Sequence, residues 1–156
     1  MTVRPLLLLA ALAAAPGTAT AQGTGRAVAT APAATMTVYK SPTCGCCAKW
    51  VDHAKAAGLK AKVVEMTDAE LDETKAAMGV APKLQSCHTA IIDGYVFEGH
   101  VPADLVLKVL KERPRIAGLA VPGMPQGSPG METGTKDRYD VIAFEKNGTT
   151  RVFATR

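Results

Sequence analysis

Beyond the N-terminal segment, the spacing of hydrophobic residues changes from a period of two to a helical period and back, which predicts a strand-helix-strand unit. Thr37–Lys40 is short and β-prone, and a turn follows in which Ser41 or Thr43 is placed to cap a helix. Apolar residues then recur at helical spacing until Gly58, and Ala61–Met66 alternates as a second strand. Because a helix connects the two strands, we expect them to be parallel.

A second helix and a β-hairpin are predicted next. Thr67–Glu70 has the capping-box sequence that is typical of a helix start, and this helix is predicted to end at Gly79. Further along, Asp93-Gly94 separates the apolar runs Thr89–Ile92 and Tyr95–Glu98. Because Asp-Gly favours the two-residue turns that join antiparallel strands, the two runs are predicted to form a hairpin.

The last third of the chain combines a third helix, a long loop and a second hairpin. The helix is predicted to begin at Pro102 and to stop at Pro114. Gly118–Gly134 is rich in proline and glycine, which predicts a structured loop or a lid. Tyr139–Phe144 and Thr150–Ala154 alternate around an Asn-Gly turn. The whole pattern predicts an α/β fold in which helices flank a mixed central sheet and a β-hairpin extends the C-terminal end.

The first 35 residues are predicted to lie outside the folded domain. Residues 1–21 combine an early positive charge, the apolar run Leu6–Ala15 and small residues up to Ala21, which is typical of a secretory signal peptide. The run is shorter than the ~20 residues that a spanning helix needs, so we expect cleavage near Ala21, a periplasmic protein and no membrane span in the mature chain. Residues 22–35 have the composition of a disordered linker, and 36–156 are predicted to form one domain.

The charge of the chain argues against a nucleic-acid partner. Lys and Arg number 18 against 14 Asp and Glu, which gives a net charge of +4. The excess of positive over negative residues is too small, and the residues are too evenly spread along the chain, to form a basic surface that binds phosphates. The composition is otherwise that of an ordinary globular domain, and enough residues remain after cleavage to enclose one core.

Three of the four cysteines fall within four positions, which indicates reactive sulfur. Cys44, Cys46 and Cys47 lie at the predicted strand-to-helix turn, and Cys87 lies further along. Backbone amides and the dipole at a helix start stabilise a thiolate, which favours both metal binding and nucleophilic attack. Disulfides within the triplet cannot cross-link distant parts of a fold, because the three cysteines lie too close together in the chain. At most, Cys44 with Cys47, or one of the triplet with Cys87, is expected to form a disulfide.

The predicted hairpin register brings a histidine to the fourth cysteine. If Asp93-Gly94 forms a two-residue turn, Cys87 lies opposite His100, and the thiol and the imidazole become cross-strand neighbours. His88 is expected to point to the opposite face of the strand, which makes it a weaker candidate ligand. His53 lies two helical turns away from the triplet and is predicted to be a surface residue.

The sulfur donors favour copper over other metals. Thiolates select Cu(I), zinc or iron-sulfur clusters, and an exported protein meets copper in a compartment where iron-sulfur assembly is not expected. Four-cysteine zinc sites usually take ligands from two separate CxxC knuckles, whereas this chain has one. We therefore expect Cu(I), held as a thiolate-bridged cluster. The expected ligands are Cys44, Cys46, Cys47, Cys87 and His100. Met124 and Met131 are further candidates, because thioethers also suit Cu(I).

The predicted order of elements, with cysteines at the first strand-to-helix turn, resembles the thioredoxin and glutaredoxin fold. The segment Thr89–Gly94 is similar to the glutaredoxin strand that ends in Ile-Asp-Gly. In that family a cis-proline opens this strand and faces the CxxC motif, and here the position is His88, preceded by Cys87. That proline helps to keep metals off the dithiol. The resemblance therefore implies a thioredoxin-like fold, and the departure from it weakens the case for plain disulfide exchange.

Several motifs in combination resemble the CopG-type family of exported metal-binding proteins tied to copper resistance. They are Cys-Gly-Cys-Cys at 44–47, Ser-Cys-His-Thr at 86–89, Glu-Gly-His-Val-Pro at 98–102 and the Gly-Met-Pro and Ser-Pro-Gly-Met segments of the long loop. The resemblance covers about Met36 to Arg156. It implies a thioredoxin-like protein that holds copper through the CxCC cysteines and the later cysteine, with redox activity toward copper as a further expectation.

Two functions of different classes remain open. In the first, the protein is an exported copper-binding protein of copper resistance or handling, whose partners are copper ions and other exported copper-handling proteins. In the second, it is a periplasmic thiol-disulfide oxidoreductase in which Cys44 attacks and Cys47 resolves the mixed disulfide. Cys46 argues against the second, because an extra thiol would compete for that intermediate. Cys44 and Cys47 are catalytic only if the protein is redox active, which includes interconversion of Cu(II) and Cu(I).

Overall fold

The computed structural model of the chain describes Met1 and residues 34–156. The predicted signal peptide, apart from Met1, and the predicted linker up to residue 33 lie outside the described residues. The first strand begins at Thr35, one residue before the predicted start of the domain. Its elements are β1 (Thr35–Lys40), α1 (Gly45–Ala56), β2 (Lys60–Glu65), α2 (Asp68–Ala77), a short 3-10 helix (Pro82–Leu84), β3 (His88–Ile92), β4 (Tyr95–Glu98), α3 (Ala103–Glu112), β5 (Gly118–Ala120), β6 (Asp140–Phe144) and β7 (Thr150–Thr155).

The strands of the described region form one seven-stranded mixed sheet in the order β2-β1-β3-β4-β5-β6-β7. β1 and β2 are parallel, as predicted, and so are β4 and β5, whereas the other neighbours are antiparallel. The mixed α/β class and the predicted order of strands and helices are confirmed. The prediction of a continuous loop from Gly118 is wrong, because its first residues form β5 and connect the C-terminal hairpin to the rest of the sheet.

The first hairpin has the predicted register. Ile92 pairs with Tyr95 and Thr89 pairs with Glu98. The connecting turn is Asp93-Gly94, where φ is 51° and 81°. Positive φ at both central residues is the geometry that matches the twist of antiparallel strands, and glycine adopts it without steric cost. The turn therefore fixes the register locally. The register in turn determines which side chains meet where the chain enters β3 and leaves β4.

Core side chains lie on both faces of the sheet, since successive residues of a strand point to opposite sides. The larger cluster packs Phe97 of β4 against Trp50 of α1 and Val106 of α3. Their neighbours along the strands point to the other face: Val96, beside Phe97 in β4, and Phe144, at the end of β6, belong to the second cluster. Full burial of one such side chain stabilises the fold by ~1.5–3 kcal/mol. Helix α1, which carries Cys46 and Cys47, is thus held on the larger core.

Helix ends agree with the sequence in one case and differ in another. Thr67 caps α2 through the predicted reciprocal bonds with Glu70. Helix α1 instead has Cys44 as its N-cap, without a side-chain cap bond. The hydroxyls of Ser41 and Thr43 lie 3.3 Å apart and bond to each other, so the prediction that one of them caps α1 is wrong. Among the described helices, none combines the length and the apolar character needed to cross a membrane.

Candidate metal centre

The cysteine triplet occupies the turn from β1 into α1. The Cys44 N–H donates to the carbonyl of Ser41 at 3.1 Å, which closes the turn and leaves Cys44 as the last residue before the helix. Cys44 and Cys47 are joined by a disulfide, with their Cα atoms 5.4 Å apart. Cys47 is fully buried, whereas Cys44 is partly exposed. One of the disulfide pairings expected from the sequence is therefore present, and Cys46 and Cys87 are free thiols.

All four sulfurs converge, as predicted. The Sγ of Cys46 lies 3.6 Å from the Sγ of Cys44 and 3.8 Å from that of Cys87. The four donor atoms lie within 4.8 Å of one another. The fourth cysteine reaches the triplet because β3 pairs with β1, so the start of one strand lies beside the end of the other. Residues that are 40 positions apart in the chain, Cys47 and Cys87, are in contact through the Sγ of the first and the carbonyl of the second.

His100 completes this group. Its Nε2 lies 3.0 Å from the Sγ of Cys87, which is the cross-strand contact that the hairpin register predicted. The other ring nitrogen, Nδ1, lies 2.7 Å from the carbonyl of Pro129. Because a carbonyl oxygen only accepts, Nδ1 must carry the hydrogen, and the lone pair of the neutral ring is on Nε2. His100 therefore presents a nitrogen lone pair, which can bind a metal ion, toward the sulfurs.

His88 also belongs to the site, and its expected orientation away from Cys87 is wrong. Its Nδ1 lies 3.4 Å from the Sγ of Cys87, and the donor atoms of Cys87, His88 and His100 form a second compact group. Strand alternation did not apply because β3 begins at His88 itself, so Cys87 precedes the regular strand. The His88 ring packs 4.5 Å from that of Trp50. Its Nε2 is buried and has no hydrogen-bond partner among the described residues.

His53 is not the surface residue that its position suggested. Its ring is half-buried, and Nε2 accepts the backbone N–H of Ala103 at 3.1 Å. Ala103 is the first residue of α3, so His53 satisfies one of the free amides that every helix start has. Its role is to connect α1 to α3.

Burial disfavours the charged forms of Cys87, His88 and His100. Desolvation, and after it the neighbouring Cys46, raises the pKa of the Cys87 thiol to about 12. Burial lowers the pKa of His100, against the opposing effect of its bond to Pro129. Burial also lowers the pKa of His88 well below its usual value, and the nearby His100, Lys75 and Lys40 act in the same direction. Cys87 is therefore a protonated thiol beside an unprotonated imidazole nitrogen, and a metal at Cys87 must displace the thiol proton.

The chain is similar to a known sequence family and to solved structures. A family model described as a protein of unknown function, DUF411, matches residues 84–131. A solved structure named "Copper resistance protein copG- Form 1" has 42% sequence identity and a TM-score of 0.73, with 78% of this chain and 96% of that chain covered. The chain belongs to the CopG family. A second structure, "Copper resistance protein copG- Form 2", also has 42% identity, with a TM-score of 0.72 over 80% of this chain and 99% of the other. A search of curated protein sequences finds no match.

The donors of this CopG-family chain fit copper binding. The group is rich in sulfur, it includes the Nε2 lone pair of His100, and it lies between a helix start and a strand end that hold the atoms in place. Soft sulfur ligands of this kind prefer copper to hard cations such as Mg²⁺ or Ca²⁺. Within residues 34–156, the buried Nε2 of His88 has no hydrogen-bond partner, which is an unfavourable state for a polar atom.

A cleft gives access to the sulfurs of the CopG-family site. Its volume is about 300 Å³, and its walls include Cys44, Cys87 and Ser86 from the site and Asp68 and Asp72 from α2. The two carboxylates place negative charge on the wall of the cleft, and negative charge attracts cations. The disulfide end of the site and the free thiol of Cys87 are thus both reachable from solvent.

A buried ion pair fixes the segment that carries Cys87, and the sequence analysis missed it. Lys75 of α2 donates to Glu98 of β4 at 2.6 Å, and both side chains are almost fully buried. The Glu98 carboxylate also accepts the backbone N–H of Ser86 at 2.7 Å and the hydroxyl of Thr89 at 2.5 Å. These bonds enclose Cys87 on both sides along the chain. A glutamate that ends a buried hairpin strand was the signal that could have revealed it.

The long loop contacts the site through its backbone. Met124 is half exposed, and the hydroxyl of Ser86 donates to the carbonyl of Gly123 beside it. Pro129 contacts His100 through its carbonyl, as described above. The role of Met124 and Met131 as ligands stays a prediction, whereas the contacts of this loop with Ser86 and His100 are part of the described site.

Proposed function

We propose that this CopG-family protein binds Cu(I) in copper resistance or handling, with copper as its cargo. The proposed ligands are Cys44, Cys46, Cys47, Cys87 and His100. The observation that carries the proposal is the convergence of four sulfurs within 4.8 Å of one another, next to the imidazole nitrogen of His100. Two structures of the same family, named as copper resistance proteins, support the assignment.

The spacing of the sulfurs favours several Cu(I) ions bridged by thiolates. Cys46 lies between Cys44 and Cys87, with sulfur separations of 3.6 and 3.8 Å, so its thiolate has a neighbour on either side with which to share an ion. A single tetrahedral zinc ion needs no sulfur in a bridging position. Copper binding by all four cysteines requires the Cys44–Cys47 disulfide to be reduced, because only thiolates are ligands.

The disulfide favours a second candidate function, in which the same dithiol changes the oxidation state of copper. Reduced Cys44 and Cys47 would each give one electron to a Cu(II) ion and release one proton. The products would be one disulfide and two Cu(I) ions. A dithiol reductant would then restore the thiols by exchange. The partly exposed Cys44 is the sulfur that such a reductant would attack, and this step is also the one a thiol-disulfide oxidoreductase would use.

Export would place this chemistry in a compartment that tolerates disulfides. The predicted signal peptide supports a periplasmic location, and other exported copper-handling proteins are the partners that this location would provide. The carboxylates of Asp68 and Asp72, which line the cleft together with Cys44 and Cys87, suit the approach of a cation.

The proposal is tested by titrating the fully reduced protein with Cu(I) under anaerobic conditions against a competing Cu(I) chelator, with free thiols counted before and after. We expect more than one Cu(I) per chain and the loss of all four free thiols. The disulfide form, prepared separately, is the control and should bind fewer ions. Failure of the reduced protein to compete with the chelator would contradict the proposed function.

A further inference from the structure

The turn Ser128-Pro129-Gly130 lies against His100 and over the first turn of α1, although none of its residues is a proposed ligand. All three residues are buried. The carbonyl of Pro129 accepts the Nδ1–H of His100 at 2.7 Å. A main-chain carbonyl at this distance determines which ring nitrogen carries the hydrogen, and hence which one is free to bind a metal.

Gly130 makes this contact possible because it has no side chain. Its φ is +89°, and a Cβ atom there would lie 2.6 Å from the carbonyl oxygen of Cys46 and 3.0 Å from the backbone nitrogen of Trp50. Both atoms belong to the backbone of α1, which cannot yield as the end of a flexible side chain would. The same Cβ would lie 3.4 Å from Nδ1 of His100. Any larger residue would therefore push the turn away from α1 and from the imidazole.

The turn is held in shape by its own hydrogen bonds. The Gly130 N–H donates to both carboxylate oxygens of Glu132, at 3.0 and 2.9 Å. The Ser128 hydroxyl donates to the carbonyl of Pro125 at 2.7 Å, and the Met131 N–H donates to the carbonyl of Ser128 at 2.8 Å. The carbonyl of Pro129 is thus fixed in direction before any metal binds.

We propose that Pro129 and Gly130 are positioning residues of the copper site: they hold His100 as the Nδ1–H tautomer, with the Nε2 lone pair directed at Cys87. Gly130 allows the backbone to approach closely, and Pro129 provides the carbonyl. This inference rests on the proposed function only for its effect on copper affinity. Its structural half, the tautomer of His100, is a property of the metal-free protein.

The tautomer is measured by NMR of the reduced, metal-free protein with ¹⁵N-labelled histidine, at a pH where the imidazoles are neutral. The chain has three histidines, and His100→Ala assigns the signal of interest. We expect His100 of the unaltered protein to show a protonated Nδ1 and an unprotonated Nε2. The opposite tautomer would overturn the inference, and this measurement requires no variant at position 130 to fold.

The role of Gly130 is tested with Gly130→Ala, and Gly134→Ala is the matched control. Gly134 also has a positive φ, of +97°, but a Cβ there would meet nothing within 4 Å, so the control reproduces the backbone strain without the clash. We expect Gly130→Ala to turn the His100 signal into a mixture of tautomers, whereas Gly134→Ala leaves it unchanged. The same tautomer in both variants would overturn the role of Gly130.

Copper affinity gives a second readout. Removal of a partner that orients a metal-binding histidine typically weakens metal affinity by about 10- to 100-fold, and we expect a loss of this size for Gly130→Ala in the anaerobic chelator competition. In a His100→Ala background, Gly130→Ala should cause no further loss. Equal losses with and without His100 would overturn the inference, because they would mean that Gly130 acts only on the fold. If the unaltered protein bound no copper, the proposed function would fail while the tautomer measurement still decided this inference.

Discussion

The Sγ of Cys87 lies 3.0 Å from Nε2 of His100, although 13 positions separate the two residues in the chain. The contact depends on the two-residue turn at Asp93-Gly94, which fixes the register of the hairpin. It also depends on continuation of the ladder past the end of β4, where the Gly99 N–H donates to the carbonyl of His88, the first residue of β3. A turn at the far end of the hairpin thus brings the imidazole of His100 to the thiol of Cys87.

His53 and His100 should differ in their effect on copper. His100→Ala removes a proposed ligand, whereas His53→Ala removes a bond to the start of α3. We expect His100→Ala to lower Cu(I) affinity by at least about 10-fold, since loss of an orienting partner alone typically costs that much. His53→Ala should lower the thermal midpoint and leave the affinity unchanged. Chelator competition and thermal unfolding measure the two effects, and equal affinities for the two variants would contradict the assignment of His100.

Cys46 should distinguish copper binding from disulfide exchange. Its thiol lies between Cys44 and Cys87 but is not part of the disulfide. We expect Cys46→Ser to reduce the number of Cu(I) ions bound per chain, because the central bridging sulfur is lost. Any reduction of insulin disulfides by the Cys44–Cys47 pair should be largely retained. Parallel loss of both activities would instead favour the exchange enzyme.

The buried ion pair between Lys75 and Glu98 should contribute strongly to stability. Glu98→Ala leaves the Lys75 ammonium buried without its carboxylate, and removal of one partner of a buried pair costs about 3–5 kcal/mol. The exposed pair Lys108–Glu112, one helical turn apart, is the control, and Glu112→Ala should cost about 0.3–0.5 kcal/mol. Urea unfolding of the metal-free protein gives both values.

A compensating change separates the charge from the packing. If burial of an unpaired charge causes the loss, Lys75→Met in the Glu98→Ala background should restore part of the stability, because it removes the charge that was left alone. A double variant no more stable than Glu98→Ala would show that the network matters through its bonds to Ser86 and Thr89 instead.

His88 should make the metal-free protein sensitive to mild acid. Its pKa is lowered in the folded protein, so below the ordinary histidine pKa of 6.5 the unfolded chain binds more protons than the folded one. Stability therefore falls as the pH decreases below about 6.5, by at most ~1.4 kcal/mol per pH unit for one group. His88→Phe keeps a buried ring and removes the titration. We expect the difference in unfolding free energy between the two proteins to change with pH below 6.5, and a constant difference would contradict the account.

Local signals in the sequence were sufficient for much of the fold and for the sulfur cluster. The capping box at Thr67, the Asp93-Gly94 turn and the alternating runs each act within a few residues, and the register that follows from the turn brought Cys87 to His100. The orientation of His88 could not be obtained in this way. The alternation rule holds only inside a strand, and Cys87 lies just before the strand begins.

Contacts that depend on packing between distant elements were not predictable from local pattern. Lys75 has a normal position on an amphipathic helix, and only the docking of α2 on the sheet brings it to Glu98. The close approach of Gly130 to α1 likewise depends on the path of a loop whose sequence specifies turns but not direction. The sequence motifs of this loop pointed to its methionines as the residues near the site. In the structure, the loop contacts His100 through the carbonyl of Pro129, and Gly130 allows this close approach because it has no side chain.

The environment of Trp50 provides an optical signal for events at the sulfurs. It is the single tryptophan of the chain, its indole N–H donates to the carbonyl of Val101 at 2.8 Å, and its ring lies 4.5 Å from that of His88. Fluorescence excited in the indole therefore originates next to His88 of the candidate metal centre. We expect its emission to change when metal is loaded, which would report on the site without any attached dye.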